Sequence, residues 1–199
     1  MEGVDYEIFN AFAKQSFGDD CNLGLSQESI DCIVSRARII KLNKGEYLQI
    51  EGDVSKFWGY VIKGLVRVYY KHMEEEVTEI LAIDGDDFMD VESYFDQKPS
   101  TRFIQMMEPT TLYVFRKMDF DEAVSSNLEI RNFFRTATER ILLRKKRRIE
   151  ESVFKTAKER YEKLLEQKPN LVLRAPSNII ASYLGITPET LSRIKSKTK

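Results

Sequence analysis

The spacing of apolar residues changes period twice along the chain. Over residues 1–36, Phe9, Phe12 and Phe17, then Ile30, Ile33 and Val34, recur at loose helical intervals, and Ser26 stands where a cap belongs, just before Gln27-Glu28-Ser29. From Ala37 the alternation becomes that of strands. RIIKLNKGEYLQIEGD holds two of them around a turn at Asn43-Lys44-Gly45, with a further turn at Gly52-Asp53. FWGYVIKGLVRVYYKH holds two more, broken at Lys63-Gly64; VTEILAI, a loop at Asp84-Gly85-Asp86-Asp87, RFIQMME and TLYVFR follow. Seven or eight short strands with glycine turns predict an antiparallel sandwich or roll, with the N-terminal helices laid over a sheet.

Helical spacing returns over residues 119–154. Asp119-Phe120-Asp121-Glu122-Ala123 reads as a short turn of helix, and Asn127 as the cap of a long one. Within the long helix Ile130, Phe134, Ala137 and Ile141 step by four, three and four, the seam of a coiled coil. Buried against its twin, this stripe predicts a homodimer. Packed on the chain's own roll, where Phe133 and Leu142 are expected to sit, it would be core. The seam runs into Arg144-Lys145-Lys146-Arg147-Arg148, which reads as a solvated helix face or as a stripe facing an anion. Residues 156–167 form another amphipathic helix with Tyr161, Leu164 and Leu165 inward, ended by Lys168-Pro169-Asn170.

The last stretch, PSNIIASYLGITPETLSRIKSKTK, carries two short helical patterns around a tight break. Ser177 is placed to cap the first, whose Ile179, Ile180, Tyr183 and Leu184 share a face. Gly185 supplies a positive φ, Thr187 a second cap, and Pro188 a first helical residue. Leu191 and Ile194 turn inward, leaving Glu189, Ser192, Arg193, Lys195 and Lys197 outward, with Thr187 and Thr190 beside them. This order is that of a helix-turn-helix, whose second helix enters a DNA major groove. Two amphipathic helices around a glycine also occur away from DNA; the outward residues decide for it. Arginine can bond both guanine acceptors, glutamate can accept from the cytosine amino group, and serine can bond base or phosphate.

Composition sharpens this reading. At 199 residues and 42% hydrophobic, the chain suits a medium domain plus a smaller one, each with a core. The net charge of −1 hides an asymmetry: residues 140–199 hold 16 Lys and Arg against 6 Asp and Glu, and residues 1–139 hold 15 against 26. A basic nucleic-acid end and an acidic remainder follow. Cys21 and Cys32 are the two thiols, with no CxxC, so a reduced, cytoplasmic protein without an iron–sulfur cluster is expected. The acidic start MEGVDYE predicts no signal peptide, and no run has the roughly 20 apolar residues of a membrane span. His72 lies in the polar stretch KHMEEE, where exposure is the expectation rather than metal or haem ligation. The carboxylates of residues 84–96 do not follow an EF-hand. With no nucleophile–base set and no P-loop, neither an enzyme nor a cofactor is expected.

The segment IASYLGITPETLSRI closely resembles the helix-turn-helix of Crp/Fnr regulators of bacteria, in the short Bacteroidetes-type form, and Glu189-x-x-Ser192-Arg193 resembles the signature of the Fnr-like branch. The strand order upstream is similar to that family's cyclic-nucleotide-binding β-roll, so the resemblance covers residues from about 30 to 199. It implies an α+β fold: an antiparallel jelly roll with flanking helices over 1–118, a dimerisation helix over 119–154, and a helix-turn-helix domain over 155–199 that stops at Lys199 without the β-hairpin wing of many relatives. It further implies a homodimer on an inverted pair of TTGA-type half-sites, with RNA polymerase as a possible further partner and no membrane.

In the resemblance, a glycine-glutamate pair and an arginine with a small hydroxyl residue hold cyclic AMP. Here the matching positions carry Asp90-Val91 and Thr101, with Arg102 one place late, and the adenine-contacting positions of the long helix fall at Lys145 and Lys146. A shift of one residue in a strand turns a side chain to the other face. The chain is therefore expected not to answer cyclic AMP; another effector, or none, remains open. The alternative function is a small-molecule sensor signalling to a protein partner through its C-terminal helices.

Overall fold

The structure, a computed structural model, describes residues 2–17 and 24–197; Cys21, Lys199 and the side chain of Phe17 lie outside what it describes. Two helices open the chain, α1 (Glu2–Phe17) and α2 (Gln27–Arg36). Ser26 caps α2 as its short side chain predicts, its Oγ accepting from the Ser29 amide at 3.3 Å.

Among the described residues, eight strands form two four-stranded sheets. β1 (Arg38–Leu42), β3 (Phe57–Lys63), β6 (Asp87–Phe88) and β8 (Thr110–Arg116) make one, in the order β1-β8-β3-β6. β2 (Tyr47–Gln49), β4 (Leu65–His72), β5 (Glu75–Ile83) and β7 (Arg102–Met106) make the other, in the order β2-β7-β4-β5. Every strand pair is antiparallel, as the glycine turns require. The inner faces meet in an apolar layer of Val61, Val66, Val68, Ile104, Met106, Leu112 and Val114. The segment between β6 and β7, a loop by its polar composition, contains a short helix, α3 (Val91–Asp96).

Helix α4 (Lys117–Ser126) leads into α5 (Leu128–Phe154), and Asn127 caps α5 through the amides of Glu129 and Ile130 at 2.9 and 3.2 Å. The first half of α5 lies on the outer face of the first sheet. Ile130, Phe134 and Ala137 are buried there with Phe9, Phe12, Trp58 and Phe115, and Ile141 packs against the same cluster. The expected dimer seam Ile130, Phe134, Ala137 and Ile141 is thereby corrected. The protomer's own aromatic core satisfies the stripe, with Phe134 set 4.6 Å from Phe120 and 5.5 Å from Trp58 between ring centres. Phe133 joins that core as expected, whereas Leu142 is 68% exposed.

The C-terminal helices are α6 (Ala157–Gln167), α7 (Pro169–Arg174), α8 (Ser177–Leu184) and α9 (Pro188–Lys197). Thr156 and Glu159 close a reciprocal capping box on α6. Residues 168–170 end α6 as the sequence reading expects, with Lys168 its C-cap, and Pro169 also opens the unforeseen α7 at its first turn, a position where its missing N–H costs nothing. The small core of these helices extends onto the second sheet, joining Tyr161, Leu171, Ile180 and Leu191 to Leu65 and Leu81.

Candidate nucleic-acid interface and effector cavity

Helices α8 and α9 meet at Gly185, whose φ of 65° ends α8 in the left-handed conformation glycine adopts without penalty. Thr187 caps α9, accepting from the Thr190 amide at 3.2 Å. Leu191 is buried against α8, which fixes the rotation of α9 and turns Thr187, Glu189, Ser192, Arg193 and Lys197 to solvent. Thr190 and Lys195 are half-buried. Arg193 rests on the Thr190 hydroxyl at 3.3 Å. The carboxyl of Glu189 is held below the usual range by its own amide and the Thr187 hydroxyl, with Arg193 adding to both, so it is an acceptor at neutral pH. Ser177 is corrected: it is the first residue of α8 and makes no cap, and its Oγ accepts from Lys195 Nζ at 2.8 Å, tying α9 back onto the start of α8.

Helix α8 also seals an edge. Strand β5 borders its sheet, and its unpaired backbone groups are met by Ser182, whose Oγ accepts from the Thr78 amide and donates to the Glu76 carbonyl, each at 2.9 Å. Three cations reinforce this seat. Arg174 reaches Asp84, Glu108 at 2.5 Å and the Gly64 carbonyl at 2.7 Å. Lys168 pairs with Asp86 at 2.6 Å. Arg148 donates to the carbonyls of Glu79 and Tyr183 and stacks on the Tyr183 ring at 4.1 Å. The basic run of α5 is thus neither simply solvated nor a free anion stripe. Arg144 pairs with Asp87, Lys145 with Glu79, and Arg148 holds the helix-turn-helix.

A second feature lies where α5 passes α3 and β7: a cavity of about 480 Å³. Of the six expected effector residues, Asp90, Val91, Arg102 and Lys145 line it. Thr101 is exposed and accepts from Arg102 Nη1 at 2.9 Å, and Lys146 points away to pair with Glu150 at 3.3 Å; neither reaches the cavity. Asp90 is buried as the N-cap of α3, where its carboxylate accepts from the Ser93 amide, Gln49 Nε2 at 2.9 Å and the Ser100 hydroxyl. Arg102 meets Glu79 at 3.3 Å and Glu92 at 3.2 Å. Lys145 meets Glu79 at 2.6 Å. Burial works against the charge of Glu79, yet the Lys145 ammonium and the Arg102 guanidinium outweigh it and keep its carboxyl below the usual range.

Sequence reasoning misses Glu79, Met89, Phe95, Thr138 and Glu139 of the cavity wall. Nothing in VTEILAI marks Glu79 apart from other strand carboxylates; only the fold brings α5 across it. Elsewhere His72 ends β4 in an exposed position, and Cys32 is a free thiol. Among the described residues no helix is long and apolar enough to cross a membrane.

Comparison with known proteins places this architecture. Residues 39–127 match the cyclic nucleotide-binding domain family. No curated protein matches the chain. Among solved structures, FixK2 of Bradyrhizobium japonicum aligns with a TM-score of 0.66 at 20% identity, over 81% of this chain and 83% of its own. A regulatory protein of Silicibacter pomeroyi DSS-3 aligns at 0.68 and 22% identity, over 96% of this chain and 87% of its own. The catabolite activator protein of Thermus thermophilus aligns at 0.53 and 22% identity, over 87% and 84%. The fold is that of Crp/Fnr-type regulators: a cyclic-nucleotide-binding-like roll, a long helix and C-terminal helices.

Proposed function

We propose that this chain is a DNA-binding transcription regulator of Crp/Fnr type, acting as a homodimer on an inverted-repeat site and not answering cyclic AMP. The observation that carries the reading is the outward face of α9. Glu189 and Arg193 stand one helical turn apart with Ser192 beside them, on a helix whose rotation is fixed by the buried Leu191. Lys197 sits at the far end of the same exposed helix as a phosphate contact.

Dimerisation is assigned to the far half of α5, where the protomer leaves apolar residues uncovered. Leu142, Ile149 and Val153 follow one another at seven and four, exposed by 68, 65 and 67%, with Leu143 and Phe154 adjacent. A two-fold pairing there would set two α9 helices for two half-sites. The cyclic-AMP reading is disfavoured by Arg102, which is committed to Glu79 and Glu92, and by the buried Asp90 at the turn where a ribose phosphate would lie.

Selection of bound fragments from random duplex by the purified protein tests this. The expected product is two inverted TTGA-type half-sites about one helical turn apart. Recovery of no enriched sequence would contradict it.

A further inference from the structure

The cavity beside α5 has an unusual balance of charge. Its volume of about 480 Å³ lies in the range of small-molecule sites, about 300–1,000 Å³. Four carboxylates and two cations border it, and each of the six already has a partner in the chain. Glu79 is shared by Arg102 and Lys145. Glu92 takes Arg102, and Glu139 takes Arg135 at 2.6 Å. Asp90 spends its oxygens on Gln49, Ser93 and Ser100. The hydroxyl of Thr138 donates to the Phe134 carbonyl at 2.9 Å. The rest of the wall is apolar: Met89, Val91, Phe95, Ile141 and Leu142.

Two ligand classes can be weighed against this wall. An anion would enter among four carboxylates against two cations, Arg102 and Lys145, which already share Glu79, and would lie beside the buried Asp90. Burying an unpaired charge costs far more than one surface ion pair returns. An uncharged apolar body disturbs none of these contacts and removes the exposed Phe95 from water. We infer that this cavity binds an uncharged, predominantly apolar small molecule, with Glu79, Glu92, Arg102 and Lys145, two carboxylates on two cations, acting as a neutral polar rim rather than as an anion cradle. This inference rests on the regulator reading for its purpose, but not for its chemistry.

The test is a fluorescence titration of the full chain with Nile red, a neutral ring dye, with cyclic AMP as competitor and DNA binding measured on the same preparations. The expected result is saturable blue-shifted emission at one dye per chain, with no displacement by cyclic AMP. Thr138→Trp, which fills the cavity from α5, should weaken dye binding by about tenfold or more, and Val91→Phe, which fills it from α3, should do the same if the first variant does not fold. Met118→Glu, on the exposed face of α4 outside the cavity, should leave it unchanged. Displacement by cyclic AMP would overturn the inference in favour of an anion site. Dye binding that survives both filled variants, or that appears only in Ile149→Glu monomers, would assign the apolar wall to a helix face or to a second copy. Absence of saturable binding would overturn it outright. A preparation that shifts DNA but takes no dye contradicts only the cavity, and one that takes dye but shifts no DNA contradicts only the regulator reading.

Discussion

Glu129 shows how much one side chain can organise at a helix start. In the first turn of α5, it accepts from the Ser26 amide at 2.7 Å, the Ser26 hydroxyl at 2.7 Å and the Ser29 hydroxyl at 2.6 Å, stitching α2 to α5. These donors, Ser29 first, pull its carboxyl down to about 2. Because the folded value lies below the unfolded one of about 4.3, the carboxylate favours the fold at pH above that value, and the gain is lost as pH falls toward 2. Glu129→Gln should therefore be less stable than the parent at pH 7 and should lose part of the parent's decline in acid, as read from denaturant midpoints across pH. Equal pH profiles would mean these bonds do not hold in solution. Residues of this local kind are legible in a sequence. Ser26, Asn127, Thr187 and Gly185 act on backbone within four positions, so their type and place suffice. Ser177 and Glu79 are not legible, because their partners Lys195 and Lys145 lie 18 and 66 positions away.

At the scale of the element, α5 carries two apolar stripes with different destinations. The one stepping through Ile130, Phe134, Ala137 and Ile141 is in the sequence at full strength, and periodicity says that such a face is covered without saying by what. Phe9 and Phe12 of α1 and the sheet residues Trp58 and Phe115 cover it. Phe134→Ala should accordingly cost about 3–5 kcal/mol in thermal or denaturant unfolding of the protomer, as a buried aromatic does, with no preferential loss of dimer. The second stripe, Leu142, Ile149 and Val153, is interrupted by Lys and Arg and hides within the basic run. Ile149→Glu should yield monomers that keep their helix content, by sedimentation and circular dichroism. A dimer that survives this change would place the interface elsewhere. The short α3 is not legible for a similar reason: its Asp90 cap is a good signal, but six residues of helix leave no period to detect.

At the scale of the molecule, the roll and the C-terminal helices behave as one packed body. Leu65 and Leu81 of the second sheet belong to the core of the C-terminal helices, and Arg174 binds Asp84, Glu108 and Gly64 at the seam. Arg174→Ala leaves Asp84 and Glu108 facing each other without their cation; a loss of about 1–3 kcal/mol is expected, with the C-terminal helices exchanging amide hydrogens faster than the sheets. Uniform exchange in the variant would mean the apolar contacts alone hold the seat. The alternation of strands, the order of elements and the helix-turn-helix are all legible from residue patterns, and the roll agrees with the matched cyclic nucleotide-binding domain. The seating of one part on the other is not legible, since it depends on pairs such as Arg174 with Glu108, 66 positions apart, and Arg148 with Tyr183, 35 apart.

The central claim, that α9 reads base edges, is tested most directly by a mobility-shift series on single-base variants of a selected site at fixed salt, comparing Arg193→Ala and Lys197→Ala with the parent. Arg193→Ala is predicted to cost roughly 1–3 kcal/mol and to relax preference at one guanine, while Lys197→Ala weakens binding to all sequences and flattens the salt dependence. If Arg193→Ala weakened every sequence equally, Arg193 would be a phosphate contact and this docking of α9 would be contradicted.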